Sequence, residues 1–306
     1  MTDNLTEVQT PNPRRFLDHV EIVNTLLHEE RRRGKCAGVV IDQELIYLNP
    51  ARKLIVIGDI HGDLESLLHI LTETQLTDRI RAEETKILFL GDLIDRGEKS
   101  IEVIQVVLGL KRLYPSSVFI LRGNHEGPGD LRVSPHDLPH DLRRYFGVHA
   151  QNVRQKLQEL FDNLYLTAIL EGKYLFVHGG FPSTMASSED IAKAKLNHPE
   201  KPHLEEILWN DPDETIKHTA PSPRGAGRLF GKNVTHRALR ILGLKTIVRG
   251  HTPVENGVAE SQNGMILTLF SRKGAPYFNS KAAYLELDCG ACAYDSSRLI
   301  DGVHKF

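Results

Sequence analysis

Five short apolar runs in this chain each lead, within a few residues, to a side chain able to bind a metal ion, and no other feature restricts the fold as much. Leu54 to Ile57 leads through Gly58 to Asp59 and His61. Ile87 to Leu90 leads through Gly91 to Asp92, and Val118 to Leu121 leads through Arg122 and Gly123 to Asn124 and His125. Tyr174 to Val177 runs straight into His178, and Thr246 to Val248 passes Arg249 and Gly250 to reach His251. Short aliphatic and β-branched runs closed by glycine predict buried strands. Ligands of open α/β folds gather at strand ends. The pattern therefore predicts an α/β fold with a metal site assembled from five strand ends.

The intervening segments supply the helices. Phe16, Val20, Val23 and Leu27 recur on one helical face, and Gly34 after Arg31, Arg32 and Arg33 marks its end. The basic run reads as a solvated helix terminus that complements the helix dipole. Helices are also predicted after the first motif (Leu64, Leu67, Leu68, Leu71) and around 99–113, 150–163 and 232–242. Further strands are expected at 264–270 and 282–287. Residues 127–142 and 182–228, rich in Pro, Ser and charge, read as an irregular stretch and as surface loops around the site. The histidines at 136–149 and 198–203 read as loop composition, and Trp209 as a core residue. Residues 1–15 read as a flexible arm and 16–306 as one catalytic domain.

Asp59 and His61 stand two apart beyond a strand, so in an extended segment they face the same side. Asp92 offers two oxygens able to bridge two ions; Asn124, His178 and His251 add one oxygen and two nitrogens. Mixed nitrogen and oxygen donors suit Mn, Fe or Zn better than Mg or Ca, and two divalent ions, Mn²⁺ first, are the expected cofactors. Such a pair can clamp the attacking and leaving oxygens of an in-line displacement, with a bridging water ionising near neutral pH as nucleophile. Arg96 offers a bidentate fork for a phosphate. His125, beside a ligand residue, is placed to protonate a leaving alkoxide, with Asp95 to hold its imidazole. The chemistry implied is phosphate-ester hydrolysis.

The motifs GDIHG (58–62), GDLIDRG (91–97), LRGNHE (121–126), HGG (178–180), WNDPD (209–213), RGH (249–251) and TLFS (268–271) resemble those of the phosphoprotein phosphatase family of serine/threonine phosphatases. The resemblance implies a central β-sandwich of two mixed sheets flanked by helices. It implies that one ion takes Asp59, His61 and Asp92, and the other takes Asp92, Asn124, His178 and His251. It also implies that His125 and Asp95 form the acid pair, and that Arg96, Arg224 of SPRGAG, Asn124 and Tyr277 border the phosphate. Asp211 reads either as a support for these residues or as a turn cap. The family's eukaryotic SAPNY loop is replaced here by SRKGAPYF (271–278), with Arg272 and Lys273 expected to alter the rim. Phosphoprotein substrates and regulatory proteins are the partners implied.

Two alternatives share part of the pattern. Dinucleoside polyphosphate hydrolases also carry GDxHG and GNH, but GNHE and RGHTP here count against that reading. A phosphoprotein-binding pseudophosphatase would have lost a ligand or the acid, and none is lost. A net charge of −2 gives no bulk attraction to nucleic acid or acidic membranes. No apolar stretch reaches the roughly 18 residues of a membrane helix. Three cysteines, an odd number, fit a reducing compartment, so a cytoplasmic protein is expected. The pair Cys289 and Cys292 reads as incidental rather than as a zinc or redox site.

Overall fold

The five motif strands form where the apolar runs predict them, and they divide between two stacked sheets. A computed structural model describes residues 12–49, 52–289 and 299–306. The smaller sheet orders its strands Val303–Lys305, Ala283–Asp288, Lys53–Ile57, Thr85–Phe89, Val118–Ile120, with the last three parallel. The larger sheet runs Lys35–Cys36, Val39–Asp42, Leu45–Tyr47, Thr167–Leu170, Tyr174–Val177, Thr246–Arg249, Ile266–Leu269, Val258–Ser261. Tyr174–Val177 and Thr246–Arg249 are parallel neighbours within it. A third sheet of three short strands, Asp211–Pro212, Thr219–Pro221 and Arg228–Phe230, flanks the fold. This is the mixed α/β architecture expected.

Alternation along the central strands of the larger sheet explains why Tyr174–Val177 and Thr246–Arg249 read as apolar runs. Phe176, Val248 and Leu267 point into the cluster shared with the smaller sheet. Their neighbours Leu175, Ile247 and Ile266 point the other way, into a second cluster with Leu204, Ile207, Leu208 and Leu239. Both faces are buried at these positions, so consecutive residues there are apolar. Each such side chain contributes about 1.5–3 kcal/mol on burial.

Several elements differ from expectation. The first helix spans Pro13–Arg33, starting ahead of Phe16, because the Asn12 side chain accepts the Arg14 N–H at 3.0 Å and Pro13 suits the first turn. Residues 1–11 of the expected arm, and Cys292 of the cysteine pair, lie outside the described residues. Arg31 is not solvated: it donates to the carbonyls of Gln43, Asn163 and Leu164 and pairs with Glu44. The 127–142 stretch contains the start of a helix, Leu138–Phe146. Within 182–228 the helix His203–Trp209 is core rather than surface, because its apolar face covers the larger sheet. Among the described residues, no helix is long and apolar enough to cross a membrane.

Candidate dinuclear metal and phosphate site

The carboxyl ends of the five motif strands meet at one edge of the two sheets. Asp59 bridges to Phe270, and Gly58 N–H donates to Ser271 Oγ at 2.8 Å, which joins the sheets there. The loops pack so closely that a Cβ on Gly123 would overlap Asp92 Oδ1, and one on Gly250 would overlap Asp59 Oδ1. His61, Asp92, Asp95, Arg96 and His251 all hold positive φ, between 45° and 71°, a strained backbone for non-glycine residues.

Asp59, His61, Asp92, Asp95, Asn124, His125, His178 and His251 are all buried. His61 Nδ1 donates to the Ile94 carbonyl at 2.7 Å, so its Nε2 lone pair faces Asp92 Oδ2 at 3.3 Å and Asp59 Oδ2 at 3.7 Å. His178 Nδ1 donates to the Leu90 carbonyl at 3.1 Å. Its Nε2 therefore faces Asn124 Oδ1 (2.9 Å), His251 Nδ1 (3.2 Å) and Asp92 Oδ2 (3.4 Å). Two trios of ligand atoms, from His61, Asp92 and His125 and from Asp92, His178 and His251, each lie within 4.8 Å of one another. Asp92 Oδ2 alone faces both groups, because Oδ1 accepts the His125 N–H at 3.0 Å. Of the two oxygens that the sequence offers for bridging, Oδ2 is the one turned toward both His61 and His178.

Protons are too few for these contacts. With neutral rings, Asp92 Oδ2, Asn124 Oδ1, His178 Nε2 and His251 Nδ1 share one hydrogen at most. Asp59 Oδ2 and His251 Nε2 are buried without a hydrogen-bond partner. Burial pushes the Asp59 carboxyl up to about 7 and the His61 imidazole down to about 3. Burial, then His178 beside it, drives His251 well below the usual imidazole range. Buried lone pairs pressed together in this way are costly unless a cation takes them. The donor set therefore fits metal ions, with nitrogen and oxygen ligands mixed as in transition-metal sites.

Beside these groups lies a proton-donor pair. His125 Nδ1 meets Asp95 Oδ2 at 2.6 Å. Burial opposes charge on His125, but Asp92 and Asp95 outweigh it and raise its pKa. Asp95 is held well below the carboxylate range despite burial, by hydrogen bonds with His125 and His136. Arg96 Nη2 lies 3.4 Å from His125 Nε2, Arg96 Nη1 donates to the Pro135 carbonyl, and Arg96 Nε donates to Tyr277 Oη at 3.3 Å. The Tyr277 ring packs near His61, at 5.8 Å between centroids. Arg224 reaches the opposite side, donating from Nε to Asp211 Oδ2 at 2.5 Å and from Nη2 to the His251 carbonyl at 3.5 Å.

The predicted residues are thus linked through the contacts above, and further residues that the sequence does not single out support them. Glu126 accepts the N–H groups of Asp92 (2.9 Å), Leu93 (2.8 Å) and Gly123 (3.0 Å), clamping two motif loops together. Arg249 is fully buried and donates to the Gly179 carbonyl at 2.5 Å and to Asp211 Oδ1 at 2.9 Å. Asp211 is thus a support, tying Arg224, Arg249 and Thr252 together. A charged residue at the end of an apolar run was the available signal for Arg249. His136 is more than loop composition: its Nδ1 meets Asp95 Oδ2 at 2.9 Å. Arg272 is not a rim residue, because its buried guanidinium donates to the carbonyls of His61, Lys273 and Ala275. Trp209 is core as expected, and its ring also meets His251 edge-on at 5.9 Å.

Residues 52–255 match the calcineurin-like phosphoesterase family. The chain belongs to that family. It is 32% identical over 257 residues to the serine/threonine-protein phosphatase 4 catalytic subunit of Eremothecium gossypii, covering 83% of this chain and 79% of that one. It is 30% identical to a probable serine/threonine-protein phosphatase of Encephalitozoon cuniculi, covering 81% of this chain and 53% of the relative. It is 35% identical to a PP2A-like serine/threonine-protein phosphatase of Candida albicans, covering 76% and 55%. The chain thus spans about half the length of two of these three. A Saccharomyces cerevisiae protein serine/threonine phosphatase with similarity to human phosphatase PP5 superposes with a TM-score of 0.75 at 25% identity, covering 100% of this chain and 92% of that one.

Proposed function

We propose that this calcineurin-like phosphoesterase is a metal-dependent protein serine/threonine phosphatase that hydrolyses phosphomonoesters. The observation that carries the proposal is His125, bound through Nδ1 to Asp95 at 2.6 Å, beside a buried cluster of His61, Asp92, His178 and His251 ligand atoms that meet around Asp92. Asp59, His61 and Asp92 would hold one ion, and Asp92, Asn124, His178 and His251 the other. Two divalent cations, Mn²⁺ before Fe or Zn, would supply an activated water nucleophile and offset charge on the phosphoryl oxygens. Arg96, beside His125, and Arg224, beside His251, would with Asn124 and Tyr277 fix the phosphate's orientation. The Nε2 proton of His125 passes to the departing serine or threonine oxygen, and Asp95 stabilises the imidazolium that precedes transfer. Glu126 and Asp211 act through the residues they hold.

The proposal includes phosphoprotein substrates, regulatory protein partners, a cytoplasmic site of action and residues 16–306 as one catalytic domain. Its test is phosphate release by the purified protein, stripped of metal and then given Mn²⁺. The substrates are p-nitrophenyl phosphate, phosphoserine/phosphothreonine and phosphotyrosine peptides, and diadenosine tetraphosphate. Mn²⁺-dependent release from the serine or threonine peptide is expected. Cleavage of the dinucleotide alone, or of nothing, overturns the proposal.

A further inference from the structure

A cavity of about 380 Å³ opens beside Asn124 and His125, between the 127–138 segment and the helix Ala150–Phe161. Asn124 and His125 line its inner end, and the rest of its lining belongs to none of the metal or phosphate residues. Its wall combines apolar Leu131, Val133 and Phe161 with two cations, Arg132 and Arg154, and includes no Asp or Glu. Arg132 donates Nε to the Gly129 carbonyl at 3.1 Å, and its other N–H groups have no protein acceptor among the described residues. Arg132 and Arg154 are both solvent-exposed at the cavity's mouth, and Arg154 forms no ion pair with a carboxylate among the described residues. Of the two acids in that segment, Asp130 is engaged by His198 at 2.8 Å and Asp137 accepts the Arg96 N–H at 3.0 Å.

The cavity is also fixed relative to the reacting centre. Asp95 Oδ1 accepts the N–H groups of Asp137 (2.8 Å) and Leu138 (2.7 Å), and Asp95 Oδ2 meets His136. One carboxylate thus holds both the acid His125 and the segment that forms the cavity wall. An extended peptide advances about 3.3–3.6 Å per residue. A side chain one or two residues from a phosphoresidue seated at His125 therefore reaches this cavity. A volume of 380 Å³ lies within the usual range for ligand pockets.

We propose that the cavity is a subsite for an anionic side chain of the phosphoprotein substrate, a carboxylate or a second phosphate, next to the scissile phosphoresidue. The apolar walls take the stem of that side chain, and Arg132 and Arg154 take its charge. The proposal rests on the protein-phosphatase reading of the same cleft.

The test compares kcat/KM on phosphothreonine peptides that differ only at the positions one and two residues to either side of the phosphothreonine, filled with alanine, aspartate or phosphoserine. p-Nitrophenyl phosphate, which has no flanking residue, is measured in parallel. Two partly screened ion pairs predict a preference of about fivefold for an acidic flank. In R132E/R154E that preference is lost or inverted, while turnover of p-nitrophenyl phosphate stays at the wild-type rate. The aspartate and phosphoserine peptides distinguish a carboxylate from a second phosphate. Equal kcat/KM on alanine and acidic flanks in the wild-type chain overturns the subsite and leaves the phosphatase reading intact. An acidic preference that survives R132E/R154E also overturns it. Turnover of p-nitrophenyl phosphate with no release from any peptide overturns the subsite and the protein-phosphatase reading together.

Discussion

Glu126 to Gln is the substitution that most directly tests how the cleft is held. Glu126 is fully buried, and its two oxygens accept three backbone N–H groups, from Asp92, Leu93 and Gly123. Gln keeps one acceptor oxygen, which takes two of these N–H groups at most; the amide NH₂ then confronts the third. Losing one buried acceptor costs about 1–3 kcal/mol, and changing charged hydrogen bonds to neutral ones adds to that loss. Against this, burial and the neighbouring Asp92 disfavour the Glu126 charge and raise its pKa, so a neutral side chain recovers part of the loss. The net expectation is a destabilisation of about 1–3 kcal/mol. With a urea dependence of about 1–3 kcal/mol per molar, the unfolding midpoint falls by roughly 1 M. Because the same clamp aims Asp92 at both candidate ion positions, Mn²⁺ affinity falls about 10–100-fold. Urea unfolding followed by fluorescence, and Mn²⁺ titration by calorimetry, measure the two effects. An E126Q protein with the wild-type midpoint and the wild-type Mn²⁺ affinity would refute the clamp.

Three further outcomes are expected. H125A should lower turnover of an alkyl phosphopeptide about 10²–10⁴-fold and that of p-nitrophenyl phosphate much less; equal losses on both would remove His125 as the acid. D92N should reduce Mn²⁺ stoichiometry and abolish turnover together, since Asp92 Oδ2 faces both donor groups; two ions bound with normal affinity would exclude a shared carboxylate. Glu286, despite partial burial, is lowered to about 2 by Arg79 and Lys53. A depressed carboxyl stabilises the fold above its unfolded pKa of about 4.3 and loses that contribution as pH falls toward 2. The stability gap between wild type and E286Q should therefore be full at pH 6 and shrink by pH 3, and a constant gap would contradict the assignment.

Much of the cleft is legible before folding. An apolar run of strand length followed by a ligating side chain is a local signal, and all five runs form strands because aliphatic and β-branched residues favour buried strands. The helices Ser100–Leu113, Ala150–Phe161 and Lys232–Leu242 are legible for the same reason. The strands Val39–Asp42 and Leu45–Tyr47 and the helix Leu138–Phe146 are not, because their short apolar patterns depend on neighbours for burial. His125, Asp95 and Arg96 were singled out from their chemistry and Arg224 from the family resemblance, and the fold brings His125, Asp95 and Arg96 into mutual contact.

Which partners these residues meet was decided only in three dimensions. Glu126 is one letter after His125 in the sequence, yet its role lies in N–H groups 33 and 34 residues away. Arg249 meets Asp211 across 38 residues, and His136 meets Asp95 across 41. Arg272 looks like a surface cation in the chain and is a buried donor to backbone carbonyls in the fold. The sequence by itself determined the donors and the strand ends that carry them, since residue identity and local periodicity are written along the chain. The tertiary structure decided which oxygen of Asp92 faces both groups, which loops are clamped and where a second pocket opens, because those contacts exist only once the two sheets stack and their loops share one edge.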